Sequence, residues 1–128
     1  DATALAERVA GTWIAANGPR PGTVLAVSDQ SAYYAGGTWS MLPYTLRSDV
    51  ALAYVREKKP RYLVLDRALI DERPYIAQWL ASGVPDARAQ LVFTAGNPHA
   101  PDVAVYRWYG SARPLSRAGP FALSGSIR

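Results

Sequence analysis

The 128-residue chain contains no cysteine. This excludes disulfides, thiol catalysis and cysteine-ligated metal, and is compatible with either redox compartment. Histidine is nearly as scarce: His99 is the only one, set in the proline-flanked segment NPHAP. With no second histidine to share a metal and no serine motif beside it, His99 reads as a solvated loop residue. Lysine occurs only at 58 and 59, so twelve of the fourteen basic residues are arginine. Those arginines are scattered rather than gathered into a run. The net charge of +4 therefore does not suggest a nucleic-acid stripe, although contact with anionic phosphates or a membrane surface stays open. No apolar window reaches the ~18 residues that a membrane-spanning helix requires. The sequence also lacks G-x-S-x-G, H-E-x-x-H, a Walker loop, G-x-G-x-x-G and any internal repeat.

What is present is the composition of one folded domain, 49% hydrophobic and 19% charged, in the size range of a single core. Residues 3–16 place Leu5, Val9 and Trp13 on one helical face with Glu7 and Arg8 off it, and Asn17-Gly18-Pro19 supplies a left-handed stop. Thr23 to Val27 is a continuous apolar run, the pattern of a strand covered on both faces. Asp29 or Ser28 then caps the short helix QSAYYA. Gly36-Gly37 ends that helix by supplying positive φ, and Thr38 to Leu42 forms a more exposed strand.

Ser48-Asp49 opens the next helix, with Val50, Ala51, Tyr54 and Val55 inward and Lys58-Lys59 at its end. YLVL, residues 62–65, is a second buried-type strand that exits through Asp66-Arg67. Asp71-Glu72-Arg73-Pro74 starts a further helix that buries Ile76, Trp79 and Leu80. Residues 88–94 and 103–109 are an antiparallel pair joined by the turn-rich AGNPHAPD. The order implies a three-layer α/β/α sandwich with a mainly parallel, Rossmann-like sheet and an antiparallel C-terminal edge strand. Residues 1–110 make one domain; residues 111–128, rich in Ser, Gly, Pro and Arg, read as a tail or linker.

Candidate chemistry gathers in residues 22–44, GTVLAVSDQSAYYAGGTWSMLPY, and at the end of the YLVLD run. Ser28 and Asp29 follow one parallel strand while Asp66 and Arg67 follow another, so an open sheet would set them around one crevice. Two readings of Asp29 and Asp66 stand side by side. Together they could bind a cation or a sugar hydroxyl; separately, Asp29 caps a helix and Asp66 pairs with Arg67 or Arg61. Tyr33, Tyr34, Trp39, Tyr44 and Trp108 form either a stacking surface for sugars or bases, or ordinary core packing. No residue is assigned a catalytic role, and no metal site or cofactor is expected.

The segments AYYAGGTWSMLPY, DVALAYVREKKPRYLVLD and LVFTAGNPHAPDVAVYRW, in this order, resemble the soluble C-terminal region of bacterial membrane glycosyltransferases of the protein-mannosyltransferase and aminoarabinose-transferase type. The resemblance spans roughly residues 5 to 109. In that family a multi-helix membrane part uses a lipid-linked sugar donor, and its catalytic carboxylates lie on loops that have no counterpart here. The resemblance therefore implies a non-catalytic domain outside the cytoplasmic membrane, tethered to a transmembrane glycosyltransferase part. Glycan, polyprenyl phosphate or anionic lipid head groups are the implied ligands, with Ser28, Asp29, Tyr33, Tyr34, Asp66 and Arg67 as the residues to contact them. The chain begins at Asp1 and has its sole methionine at position 41, so it reads as an excised or processed piece of a larger protein. The alternative is a stand-alone small α/β ligand-binding protein or enzyme using Asp29 and Asp66.

Overall fold

Tyr62–Asp66 (YLVLD) is the most deeply buried strand of the protein, with all five residues buried. Residues 2–18, 21–67 and 70–110 are described by the computed structural model, and the expected tail, residues 111–128, lies outside them. The elements run α1 (Ala2–Asn17), β1 (Thr23–Ala26), α2 (Gln30–Ala35), β2 (Thr38–Met41), α3 (Ser48–Lys58), β3 (Tyr62–Asp66), α4 (Pro74–Ser82), β4 (Ala89–Asn97) and β5 (Ala100–Trp108). The fold is α/β, with four helices and a five-stranded mixed sheet in the order β2-β1-β3-β5-β4. β1 pairs in parallel with both β2 and β3, whereas β5 is antiparallel to β3 and to β4.

Because side chains alternate across a strand, β1 and β3 feed two separate clusters. Leu25, Leu63 and Leu65 pack with Ala51 and Val55 of α3 and with Ile76 and Trp79 of α4. Val24, Ala26, Tyr62 and Val64 pack with Ala6, Ala10 and Ile14 of α1 and with Ala32 and Ala35 of α2. Each fully buried Leu, Ile or Val contributes about 1.5–3 kcal/mol.

The last strand does not form the edge of the sheet. β5 inserts between β3 and β4, and β4 is outermost. The reason lies in the side chains. Val103 to Tyr106 are buried without interruption, as suits a strand covered on both faces, whereas β4 carries exposed residues along its length. Both strands also extend into the expected loop, leaving a two-residue connection at Pro98-His99 in which the His99 N–H donates to Asn97 Oδ1 at 2.9 Å. Register shifts at Leu91/Phe93 and Ala95/Gly96 absorb the mismatch as bulges.

Helix α1 is rotated relative to the expected face. Leu5 is 60% and Val9 36% exposed, while Ala6, Glu7, Ala10 and Ile14 are buried. Size decides this, not hydrophobicity: a Cβ at Gly11 would collide with the Ser31 carbonyl oxygen and lie 2.8 Å from Tyr34 Cβ. The small-residue stripe lets α1 approach α2, and Trp13 closes the flank by stacking on Phe93 at 5.3 Å. Gly18 is not left-handed as expected; a Cβ there would strike the Tyr62 hydroxyl. Of the Gly36-Gly37 pair only Gly36 has positive φ (78°), as the C-cap of α2. In α3 the N-cap is Arg47 rather than Ser48, with no side-chain cap bond. Val50 faces outward while Leu52 is buried.

Candidate functional site

The chain leaves β1 for β2 on one side and returns to β3 on the other, so the carboxyl ends of β1 and β3 flank the point where strand order reverses. In open α/β sheets this is where ligands bind. Beyond β1, Ser28 is half-buried and its Oγ accepts the Gln30 N–H at 3.4 Å. Asp29 is exposed and occupies the N-cap of α2 without a side-chain cap bond, while its carbonyl accepts the Tyr33 N–H at 2.9 Å. Tyr33 and Tyr34 meet edge-on, with ring centroids 5.2 Å apart. The Arg8 guanidinium lies 5.2 Å over the Tyr34 ring. A shallow depression of about 240 Å³ is lined by Ala4, Leu5, Arg8, Gln30 and Tyr34. Beyond β3, Arg67 is exposed and its Nε donates to the Pro101 carbonyl at 3.1 Å, tying the exit of β3 to the start of β5.

Asp66 sits apart from this surface group. As the alternate residue after Tyr62 and Val64 it is on the α1 side of β3, buried, beside Glu7. Glu7 Oε1 accepts the Ser31 N–H at 3.1 Å. Burial first, and then the neighbouring Asp66 carboxyl, push the Glu7 pKa up to about 8. Glu7 therefore keeps its proton at neutral pH, with the Asp66 carboxyl beside it. The crevice expected between Asp29 and Asp66 is thus, on the inner side, a carboxyl pair of Glu7 and Asp66 that fastens α1 and α2 to the sheet. The sequence did carry a signal for Glu7: it lies three and seven residues before Ala10 and Ile14, on the small-residue stripe.

A second buried ionisable group lies across the sheet. Arg73, the N-cap of α4, is fully buried. Its Nε donates to the Leu42 carbonyl at 3.3 Å, and the Tyr44 ring covers the guanidinium at 3.7 Å. Neither Nη atom has a hydrogen-bond partner. Among the described residues the carboxylate within ion-pair reach is that of Glu72, half-exposed and 3.9 Å from Nη1. The Tyr75 hydroxyl donates to the Pro43 carbonyl at 2.8 Å, and burial keeps it protonated. The sequence hint was a cation at a helix start, where the helix dipole disfavours positive charge.

His99 is exposed on the β4–β5 turn, far along the chain from both clusters. Among the described residues no three histidine, aspartate or glutamate side chains gather as a metal site would require. No protein-family model matches the chain, and neither curated proteins nor solved structures give a significant match.

Proposed function

We propose that this chain is the non-catalytic accessory domain of a membrane glycosyltransferase that uses a lipid-linked sugar donor. Its helices cover both faces of the sheet as a three-layer α/β/α sandwich. It lies outside the cytoplasmic membrane beside the transmembrane part of the same protein, where it receives glycan, polyprenyl phosphate or anionic head groups. None of the described helices is long and apolar enough to cross a membrane, so in this reading the membrane spans belong to the rest of the protein.

One observation carries the proposal. Large apolar side chains stand in solvent around β2, the strand that ends the sheet: Tyr33 at 75% and Leu46 at 74% exposure, with Tyr34, Trp39, Met41 and Tyr44 between them. Trp39 is steadied by its Nε1, which donates to the Ala26 carbonyl at 3.1 Å, and Arg8 adds positive charge beside Tyr34. Exposed aromatics are common at binding faces, and tyrosine and tryptophan suit sugars and head-group regions because each ring has an apolar body and a polar tip. The burial of Asp66 against Glu7, with Asp29 at the surface, favours this binding role over a two-carboxylate enzyme.

The test is a titration of the ¹⁵N-labelled protein with soluble oligosaccharides and with a short-chain polyprenyl phosphate in micelles. Amide shifts should cluster in residues 28–44, and Tyr33→Ala combined with Trp39→Ala should abolish them. Spectra that do not change at saturating ligand, or shifts that ignore the double substitution, would remove the proposal.

A further inference from the structure

We propose that Arg73 and the amino terminus of α4 form a binding site for the phosphoryl group of a phosphate monoester, closed by the ring of Tyr44. The argument starts from charge. A guanidinium stays protonated under all physiological conditions, so a buried arginine cannot shed its charge and needs anionic or hydrogen-bonding partners around all of its donors. Arg73 is fully buried, yet neither Nη atom makes a well-formed hydrogen bond; the groups beside the guanidinium are the Glu72 carboxylate and the Tyr75 hydroxyl. Glu72 does not supply the missing charge: its carboxylate is half in solvent and 3.9 Å away.

Position compounds the deficit. Arg73 occupies the N-cap of the nine-residue helix α4, where the helix dipole adds about half a positive charge. The cap makes no side-chain hydrogen bond and the first turn of α4 holds no acidic residue, so nothing negative within the helix offsets the arginine. Pro74 has no N–H, so the guanidinium rather than the backbone supplies most of the donors. A full cation and a helix amino terminus at one point together match a phosphate monoester, which carries about −1.5 to −2 at neutral pH. Nη1 and Nη2, the two donors left open, are the pair that a phosphate engages side by side.

The surroundings provide a door. Tyr44 is 59% exposed although its ring covers the guanidinium at 3.7 Å. It belongs to the irregular segment between β2 and α3. Exposed side chains change rotamer in picoseconds to nanoseconds, so Tyr44 can swing aside without disturbing the sheet. The neighbouring hydroxyl of Tyr75, bonded to the Pro43 carbonyl, offers a further polar group at the wall. The site adjoins the carboxyl end of β2, where the Leu42 and Pro43 carbonyls accept from Arg73 and Tyr75. It does not depend on the accessory-domain reading, because inorganic phosphate alone is a sufficient probe.

Arginine Nε–Hε NMR signals of the full chain, followed while inorganic phosphate replaces chloride at constant ionic strength, test the site. The Arg73 signal, identified by its loss in Arg73→Lys, should shift saturably together with the Tyr44 ring. Tyr44→Ala should bind at least as tightly, and Arg73→Lys about tenfold or more weakly, the loss expected for one charged hydrogen-bonding partner. A prenyl phosphate arm then distinguishes the sources: tighter binding than inorganic phosphate identifies a lipid phosphate, and equal binding a soluble one. The proposal is overturned if neither wild type nor Tyr44→Ala gives a saturable Arg73 shift, if Arg73→Lys binds equally well, or if all arginines drift together without saturation. Should Arg73→Lys not fold, the wild-type and Tyr44→Ala titrations decide by themselves.

Discussion

Glu7 on one face of the sheet and Arg73 on the other are both buried and ionisable, and they handle the same difficulty in opposite ways. Taking a charge out of water is expensive. The carboxyl of Glu7 escapes by keeping its proton, which turns two repelling carboxylates into a hydrogen-bonded pair that can hold α1 and α2 to β3. The guanidinium of Arg73 has no such escape and is covered instead by the face of Tyr44 and one carbonyl. An acid can be buried by adjusting its protonation. A strong base stays charged when buried and depends on whatever polar groups and counter-charge surround it, and that is why the two clusters should respond to different perturbations.

The comparison breaks most sharply with pH. The folded pKa of Glu7 is raised from 4.5 to about 8. The unfolded chain therefore releases this proton first, and stability falls as pH rises through the window between those values, by several kcal/mol. Chemical denaturation at pH 5 and pH 8 should record that loss. Glu7→Gln, which keeps the acceptor for the Ser31 N–H and offers a permanent donor to Asp66, should flatten it. A pH-independent midpoint in the wild type would mean that Glu7 is not protonated in the folded state.

Across the sheet the expected effect is smaller and depends on shape. In phosphate-free buffer Arg73→Met fills the same volume without a charge and should leave stability unchanged or raise it by about 1–4 kcal/mol. Arg73→Ala leaves a void and should cost about 2–4 kcal/mol. If both substitutions destabilise alike, the guanidinium is better paired than its open Nη atoms indicate. The smallest change is at the cover: Tyr44→Ala removes a cation–π contact and should lower stability by about 0.5–2 kcal/mol, read from thermal melts, without altering the pH response governed by Glu7.

The order of elements could be read from the chain because it depends on local chemistry. Continuous apolar runs gave β1 and β3, Pro74 started α4, and Gly36 ended α2 with a left-handed residue. What could not be read depends on the fit between distant surfaces. The buried face of α1 is set by how closely Gly11 approaches Ser31, a contact between residues twenty apart, and that fit drew Glu7 inside. The place of β5 between β3 and β4 follows from which strand has two apolar faces to cover once both exist. Of the candidate site, Ser28, Asp29 and the tyrosine pair lie near the expected strand ends. Asp66 is buried against Glu7, a partner that no local pattern names. Arg73 stands at a helix start, where a cation is out of place, but its complete burial depends on the packing of Tyr44 and Leu42 from a distant segment and could not be read locally.

The insertion of β5 also has a consequence for the order in which the protein can be made. β3 is buried on every residue, yet on the side away from β1 its pairing partner is β5, which ends at Trp108. During synthesis, at roughly 5–20 residues per second, several seconds separate the emergence of Asp66 from that of Trp108. For that interval the central strand has a bare edge, and the sheet is complete only once the C-terminal hairpin has arrived to close it.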